Sequence, residues 1–413
     1  MLISEPELNR LHERFPYPRF SDAEYQRRYA NMRQMLRDNE LDCMLIIGGS
    51  AAYGRLWFNI RYLTNMMGKA EMAAYCFMPK DGDPSMVIRP GHSLAGGMLA
   101  RTAVRDIIVG QPNPLEALVN KIREMGYDKG RIGIVEYDPY TSIPKNHWDF
   151  FVEHLPEVEF VFVTKEFIAA RLLKSDEEID FIEKSAELGD MGIEALADRL
   201  KPGMTEGEAF AIVHEAALRN GGEMGMIQLG SAPMLDPDLN DQRPRAVDRI
   251  IGERDIINNE LGIFYNGYEA QTGKPVLTGP PTPEFQDMFD IALEGYKAVS
   301  ATLVPGKSSE DSLAAGAPIH DKGYNVYGGY LQGMLGANPR HEPQIGPDRP
   351  QSAQDRFLYE DGKLVYKAGM VFTLQMHIID KQETRGLFLA DTFAIRDNGP
   401  QCLNKFPPQI VRV

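Results

Sequence analysis

The sequence predicts a protein of two domains, an α/β domain with a mixed sheet followed by an α+β domain. Up to about residue 163, short apolar runs alternate with helical patterns, and from Ser175 long helical patterns precede apolar runs that are typical of antiparallel strands. A chain of 413 residues with 43% hydrophobic residues is long enough to form two cores. We therefore expect domains over residues 1–165 and 166–413, with the boundary near Thr164–Leu173.

The first domain is expected to begin with an irregular arm over residues 1–20. Ser21 and Glu24 form a capping-box pattern, which predicts a helix that ends near Asn39. A helix or turn follows Tyr53. Strands are expected at four apolar runs: Leu41–Ile47, Met72–Met78, Ser85–Ile88 and Phe160–Val163.

The second domain is expected to begin with a long helix capped at Ser175 and ended by Pro202-Gly203. Thr205 caps a second helix that ends near Asn220. Two further helices are predicted at Pro283–Leu303 and Ser308–Lys322. Apolar runs close the domain at Leu364–Tyr366, Met370–Ile379 and Leu387–Ile395.

A hairpin in this domain carries the first candidate site. Residues 256–265 are apolar apart from three polar residues, Asn266-Gly267 is a hairpin turn signal, and a second strand would run from Tyr268 to about Lys274. Glu260 and Gln271 would then lie on neighbouring strands, where their side chains can converge. Such a polar pair in apolar surroundings is a candidate reaction centre.

Composition excludes several classes of function. The net charge is -15 and no block of Lys or Arg occurs, so we expect a small-molecule substrate and no nucleic acid. The N-terminal residues lack the apolar core of a signal peptide, and no run is long enough to span a membrane, which favours a cytoplasmic protein. Cys43, Cys76 and Cys402 show no metal-ligand spacing and are interpreted as core thiols. No nucleotide motif occurs, so no cofactor is expected.

Several segments, in order along the chain, resemble the creatinase and Xaa-Pro aminopeptidase family. They are EYQRRYANMRQMLRDNELDCMLI, FNIRYLTNM, RLLKSDEEIDFIEKSAEL, LKPGMTEGEAF, GIFYNGYEAQTG, PRHEP, AGMVFTLQ, ADTFAI and NGPQCLNKFP. The resemblance implies the pita-bread fold for the second domain. It also implies a homodimer in which a loop near Asn65–Met72 of one subunit approaches the pocket of the other.

The resemblance further implies which positions would hold the two metal ions of the family's peptidases. These positions are Glu260, Gln271, Met334, Gln375 and Ala390. Hard divalent cations need several anionic oxygens, and this set offers one carboxylate. We therefore expect no metal site, and an Xaa-Pro-type metallopeptidase is the less favoured alternative. The two amides indicate that a polar pocket is retained.

Creatinase works without metal, and its mechanism by resemblance uses a histidine in the segment before the hairpin. That segment contains no histidine here, and an ungapped match places Arg243 or Gln242 at the position. The glutamate expected late in the hairpin falls on Gly273, and the one on the penultimate strand is Gln375. Creatine hydrolysis is therefore not expected.

The remaining candidates for catalysis are Glu260, His341 and His377. A buried Glu260 without metal would bind a proton more tightly, as a general base requires; the alternative is a structural ion pair. His341 matches a family histidine that faces the pocket. His377 lies two residues after Gln375, so both side chains would be on the same face of a strand. A histidine in the pocket can serve as acid or base because it gains and loses a proton near neutral pH. Each histidine can instead be a hydrogen-bonded structural residue.

Substrate binding is assigned to six residues. Arg243 and Arg340 are candidates for gripping a carboxylate, and Gln271 and Gln375 for hydrogen bonding. Tyr268 can donate its hydroxyl, and Asp391 can orient a histidine. The alternatives are surface charge for the arginines, a core ring for Tyr268, and a structural carboxylate for Asp391.

Two hypotheses from different classes follow. The first is a metal-independent hydrolase or lyase that cleaves a C–N or similar bond of a small carboxylate-bearing compound. The second is a non-catalytic pseudo-peptidase that binds a ligand or a protein. A mononuclear metal enzyme using Glu260, His341 and His377 is disfavoured because the first two lie in different parts of the family pocket.

Overall fold

The computed structural model describes residues 4–48, 58–66, 74–88, 99–110, 113–136, 143–237, 246–334, 341–347 and 358–413. Contacts divide the chain into two compact units, with the division between Arg171 and Leu172. Helix Thr164–Ala169 packs within the first unit, because the ring of Phe167 lies edge-on against Tyr62 with centroids 6.0 Å apart. Arg171 also donates a hydrogen bond of 2.9 Å to Asn59, so the first unit continues beyond residue 165.

The first unit is an α/β structure built on a six-stranded sheet in the order β4-β3-β2-β1-β5-β6. The β1–β2 and β2–β3 pairs are antiparallel and the other neighbours are parallel, which confirms the mixed sheet. One core of apolar side chains from the strands and two helices underlies it. The strands are β1 Cys43–Gly48, β2 Ala74–Pro79, β3 Ser85–Ile88, β4 Asp106–Val109, β5 Arg131–Val135 and β6 Glu159–Phe162.

The helices of the first unit differ from the prediction at the N-terminus. Residues 5–14 form a helix capped by Ser4, so the predicted irregular arm is wrong there. Only Leu8 of this helix is buried, and the signals that could have located the helix are the Ser4 cap and Pro6 in the first turn. The helices are α1 Glu5–Arg14, α2 Asp22–Asp38, α3 Phe58–Thr64, α4 Pro114–Glu124, α5 Lys145–His154 and α6 Thr164–Ala169.

The second unit opens with two helices whose starts agree with the prediction, since Ser175 and Thr205 both form capping boxes. The helix predicted over Ser308–Lys322 is interrupted at Pro318, which lacks the N–H that a continuous helix needs and begins a new short helix. The helices are α7 Asp176–Arg199, α8 Glu206–Arg219, α9 Pro283–Ser300, α10 Ser309–Gly316 and α11 Pro318–Asp321. No described helix combines the length and the apolar character needed to cross a membrane.

Two sheets of the second unit carry the candidate site. One has the order β17-β10-β8-β7 with β9 paired to β8, and the other has the order β13-β12-β14-β15-β16 with β11 paired to β14. Side chains of α7 and α8 share a core with the first sheet, and those of α9 share a core with the second. The strands are β7 Glu223–Pro233, β8 Asp255–Tyr265, β9 Tyr268–Thr272, β10 Val276–Leu277, β11 Tyr324–Val326, β12 Leu331–Met334, β13 His341–Ile345, β14 Val371–Asp380, β15 Gly386–Arg396, β16 Gly399–Cys402 and β17 Val411–Arg412.

Candidate active site

The two sheets of the second unit meet where the β8–β9 hairpin crosses β15. Gly273 and Ala390 exchange backbone hydrogen bonds of 3.1 and 2.9 Å. The Thr392 hydroxyl accepts from the Gln271 N–H and donates to the Gln271 carbonyl, both at 2.9 Å. The hairpin is thereby fixed to β15, and we call this junction the seam.

Gly273 has no room for a side chain at the seam. A Cβ atom there would lie 2.4 Å from the Asn259 carbonyl oxygen and 2.4 Å from the Phe388 ring. Both distances are far below van der Waals contact, so only glycine fits. The creatinase resemblance implies a glutamate at this position, where the sequence has Gly273. The close approach of the Asn259 carbonyl and the Phe388 ring is consistent with the absence of that glutamate.

Glu260 lies on β8, buried, with Gln228 of β7 directly opposite. The Gln228 amide donates to the Glu260 carboxylate at 3.4 Å. Gln271 of β9 is opposite Gly262, two residues after Glu260, so the hairpin brings Glu260 and Gln271 to the same face of the sheet. The convergence predicted from the sequence is therefore present.

Glu269 also belongs to this face, although the sequence reasoning did not select it. A Cβ atom on Gly262 would lie 2.2 Å from Glu269 Oε1, so the Glu269 carboxylate occupies the place of the missing side chain. The residue is buried. Its position two residues before Gln271 was the available signal, because alternate residues of a strand share a face.

Gln375 of β14 lies opposite Ala390, next to the seam, and is buried. Its Nε2 donates to the Gly328 carbonyl at 3.1 Å, which fixes the orientation of the amide. Oε1 then points away from Gly328, and it has no hydrogen-bond partner among the described residues. This oxygen is an acceptor in a position to meet a ligand.

His377 shares the face of Gln375 and sits between two aromatic rings. Tyr327 and Phe388 lie edge-on to it, with ring centroids 5.6 and 5.5 Å away. Burial lowers the pKa of His377 to about 4, so the ring is neutral near pH 7. A ring of such low basicity is a poor general base, and this environment favours hydrogen bonding over the predicted acid/base role.

Tyr268 and Asp391 are placed away from this face. The Tyr268 hydroxyl donates to Glu178 of α7 at 2.8 Å. Asp391 forms a 2.6 Å ion pair with Lys274 and accepts a 2.9 Å hydrogen bond from Tyr296 of α9. Asp391 follows Ala390 on the strand and so points to the side opposite Gln375. The structure therefore brings neither predicted substrate contact to Glu260 and Gln375, and both side chains have structural partners.

The other predicted residues are only partly described. His341 begins β13, with its backbone opposite Met334, and its side chain lies outside the described part of the chain. Arg243 and Arg340 lie outside the described residues altogether.

Comparison with known proteins supplies the family. The model of metallopeptidase family M24 matches residues 180–397, more than half of the chain. The chain belongs to family M24. The resemblance to the creatinase and Xaa-Pro aminopeptidase family is thereby confirmed.

Two relatives illustrate the similarity of this M24 chain to known proteins. It is 22% identical over 396 residues to the uncharacterized peptidase YqhT of Bacillus subtilis, and the match covers 92% of this chain and 98% of the relative. It is 28% identical over 241 residues to an Xaa-Pro dipeptidase of Pyrococcus furiosus, covering 57% and 64%.

Solved structures confirm the pita-bread fold. Dipeptidase PepE from Mycobacterium ulcerans superimposes with a TM-score of 0.74 at 21% identity, covering 96% of this M24 chain and 100% of the other. The prolidase from Pyrococcus horikoshii OT3 also gives a TM-score of 0.74, at 19% identity, covering 93% and 99%. At this level of identity the likeness shows the fold alone.

The side chains at the five positions that the resemblance assigns to metal ligands differ from the carboxylates and histidine expected of a dinuclear metal centre. Of the five positions that the resemblance assigns to metal ligands, only Glu260 carries a charge. At Gln375 the amide nitrogen is committed to the Gly328 carbonyl, which leaves one neutral oxygen. Within the described part of the chain, no group of three His, Cys, Asp or Glu side chains could hold a metal ion. At these five positions, the charge and the number of ligand atoms are both smaller than two hard cations need.

Proposed function

We propose that this M24 chain is a metal-independent hydrolase or lyase that acts on a C–N or similar bond of a small carboxylate-bearing compound. The observation that carries the proposal is Glu260, a buried carboxylate on the same face of the hairpin as Gln271 and the one anionic group among the five positions that the resemblance assigns to metal ligands. A buried carboxylate that is not bound to a metal can accept a proton from a water molecule and so act as a base.

For hydrolysis, the reaction runs through Glu260 and one water molecule. Glu260 takes a proton from the water while the water oxygen adds to the carbonyl carbon of an amide C–N bond, whose C=O electron pair moves to oxygen and returns when the C–N bond breaks. The C–N bond then breaks with its electron pair on nitrogen, and Glu260 returns the proton to that nitrogen. The products are an acid and an amine, and no external oxidant or reductant is needed.

The neighbouring residues would bind and orient the substrate. Gln271 and Gln375 offer hydrogen bonds from the two sides of the seam, and we propose that Arg243 and Arg340 grip the carboxylate, with His341 as a second acid or base. By family resemblance we further propose a cytoplasmic homodimer with the pocket near the subunit interface.

The first test combines metal analysis with a substitution. We expect the purified protein to contain no stoichiometric Mn, Fe, Co or Zn by elemental analysis. We expect Glu260→Gln to lower turnover of a substrate found in a screen of small amides by at least about a hundredfold, because the base is lost. The matched control Glu253→Gln changes an exposed carboxylate just before β8 and should keep the wild-type rate.

Other outcomes separate the alternatives. Tightly bound stoichiometric metal, or cleavage of Xaa-Pro dipeptides after metal loading, would favour the metallopeptidase. A wild-type rate in Glu260→Gln would place the chemistry elsewhere. Saturable binding without turnover of any compound would favour the non-catalytic pseudo-peptidase.

A further inference from the structure

The first unit contains a cleft of about 520 Å³, which is within the size range of small-molecule binding sites. Its walls include residues of helices α1, α2 and α4, the end of β2, the start of β3 and the turn between these two strands. Every residue that lines it belongs to the unit that ends at Arg171, whereas the candidate active site lies in the second unit. The residues of the cleft therefore take no part in the proposed function.

One wall of the cleft is apolar and largely aromatic. Tyr25 and Tyr29 lie one turn apart on α2 with ring centroids 6.3 Å apart, and Phe77 of β2 lines the cleft with them. Leu8, the buried residue of α1, also lines it. A surface of this kind binds the hydrocarbon part of a ligand, and aromatic rings also attract a cation.

The Tyr25 hydroxyl is an unsatisfied polar atom of a residue in this wall. Tyr25 is 2% exposed, and its oxygen has no hydrogen-bond partner among the described residues. A buried hydroxyl that has given up its hydrogen bonds to water is costly unless another group replaces them. The wall is therefore completed by a molecule that the described side chains do not supply.

Carboxylates outnumber cationic side chains along the cleft. The carboxylates are those of Glu5, Asp22, Asp81, Asp83 and Asp106, and the cations are those of Arg19, Arg105 and Lys121. Each of the three cations already has a carboxylate of the cleft within 4 Å. The remaining charge is negative, and the whole chain has the same sign, with a net charge of -15. This electrostatic potential favours a cationic ligand over an anionic one.

Asp106 is placed to bind the charged end of such a ligand. Ser85 Oγ and Lys121 Nζ both donate to Asp106 Oδ2, at 2.6 and 3.3 Å. In the described part of the chain no donor contacts Oδ1, and the side chain is 30% exposed, so a ligand can reach this oxygen. Because Ser85 and Lys121 already orient the carboxylate, an ammonium group can form a charge-assisted hydrogen bond with it at little cost in side-chain ordering.

We propose that this cleft is a binding site for a small amphipathic cation, a primary ammonium group on a hydrocarbon chain. The ammonium group donates to Asp106 Oδ1, and the hydrocarbon chain lies against Leu8, Tyr29 and Phe77. Binding makes and breaks no covalent bond, so it is measured directly and without turnover. The site is independent of the proposed function, which uses residues of the second unit.

A ligand-observed NMR titration of the full chain tests the site with three probes of equal chain length. n-Pentylammonium, 1-pentanol and pentanoate differ in the charge of the head group. The titration is run at about 0.15 M salt, which screens the general attraction of cations to an acidic surface. We expect saturable binding of pentylammonium, weaker binding of pentanol and no binding of pentanoate.

Two substitutions at one ion pair should change the affinity in opposite directions. Asp106→Asn should weaken pentylammonium binding by about tenfold, because a charge-assisted hydrogen bond becomes a neutral one. Lys121→Met should strengthen it by about threefold, because the ammonium group that competes for Asp106 is removed. Pentanol binding should stay unchanged in both variants. A damaged fold would weaken binding in both, so the opposite signs separate the proposal from unfolding.

A second Lys–Asp pair in the same unit provides matched controls. Lys145 and Asp149 of α5 form an ion pair of 2.6 Å and do not line the cleft. Asp149→Asn and Lys145→Met should therefore bind pentylammonium as the wild type does. Equal binding of pentanoate and pentylammonium, no saturable binding of pentylammonium, or wild-type affinity in Asp106→Asn would each overturn the proposal.

Discussion

His377 illustrates how its surroundings change the chemistry of a single residue. From the sequence it was a candidate acid or base, because it shares a strand face with Gln375. In the structure it is enclosed by two rings, and burial lowers its pKa to about 4. The charged form is thus disfavoured, and the ring works as a neutral hydrogen-bonding group.

The lowered pKa of His377 should make folding sensitive to acid. This pKa falls from 6.5 to about 4 on folding, so below pH 6.5 the unfolded chain takes up a proton more readily than the folded one. The contribution of neutral His377 to the free energy of unfolding is present above pH 6.5 and is lost as the pH falls from 6.5 towards 4. Between pH 7 and pH 5 the loss from this residue is about 2 kcal/mol.

Urea unfolding at the two pH values measures this effect. His377→Gln cannot take up the proton, so we expect its loss of unfolding free energy between pH 7 and pH 5 to be smaller than that of the wild type by about 2 kcal/mol. An equal loss in both proteins would mean that His377 titrates normally in the folded state.

The predictability of the site residues depends on which face of each strand the pocket occupies. Glu260 and Gln271 were predicted to converge because they are polar residues in an apolar hairpin. Tyr268 and Asp391 were assigned to the pocket but face helices, and Glu269 was missed. Strands β8, β9 and β15 are buried on both faces, so alternation of polar and apolar residues does not mark the pocket side.

At the scale of elements, a buried ion pair holds the hairpin against β15. The side chains of Lys274 and Asp391 are 0% and 1% exposed. Lys274 Nζ also donates to the Thr272 hydroxyl and the Ala390 carbonyl, so each of its hydrogens has an acceptor. Burial raises the pKa of Asp391, while Lys274 opposes that rise. The ion pair therefore lies on the side of β15 opposite Gln375, and it holds Gln271 and Ala390 in position.

Removing one partner of this pair should be much worse than removing both. We expect Lys274→Met to lower the free energy of unfolding by about 3–5 kcal/mol, because the Asp391 carboxylate is left buried without a counter-charge. The double variant Lys274→Met, Asp391→Leu should recover much of this loss. A double-mutant cycle by urea unfolding measures the coupling, and additive losses would show that the two side chains do not stabilise each other.

Helices and strands whose ends are marked by capping or turn residues could be located from the sequence, whereas strand β7 could not. The capping boxes at Ser175 and Thr205 located two helices, and Asn266-Gly267 located the hairpin. Strand β7 was missed. It contains Gly225, where a Cβ would lie 1.6 Å from the Gly262 carbonyl oxygen, and the pairing shifts register there. A glycine required by such close approach also breaks the strand pattern in the sequence.

At the scale of the whole molecule, each unit has its own hydrophobic interior. Phe151 is completely buried in the first unit, and its ring lies edge-on against Tyr75 with centroids 5.8 Å apart. The apolar clusters of the second unit contain only residues from Leu172 onward. Two separate cores are expected to unfold as separate cooperative units.

Phe151→Ala tests this independence. We expect it to destabilise the first unit by about 3–5 kcal/mol, because a large buried ring is replaced by a cavity. Amide hydrogen exchange followed by mass spectrometry should become faster in β1, β2 and β5 and stay unchanged in β14 and β15. Equal acceleration in both units would show that the chain unfolds as one.

Gly273 limits how this pocket can be altered by protein engineering. Because a Cβ there meets both the Asn259 carbonyl and the Phe388 ring at 2.4 Å, saturation mutagenesis at this position should return glycine alone. A glutamate cannot be installed there until Phe388 is made smaller and the backbone is moved. Directed evolution toward a new substrate will therefore find its accessible steps at Gln271 and Gln375, on either side of a position that cannot change.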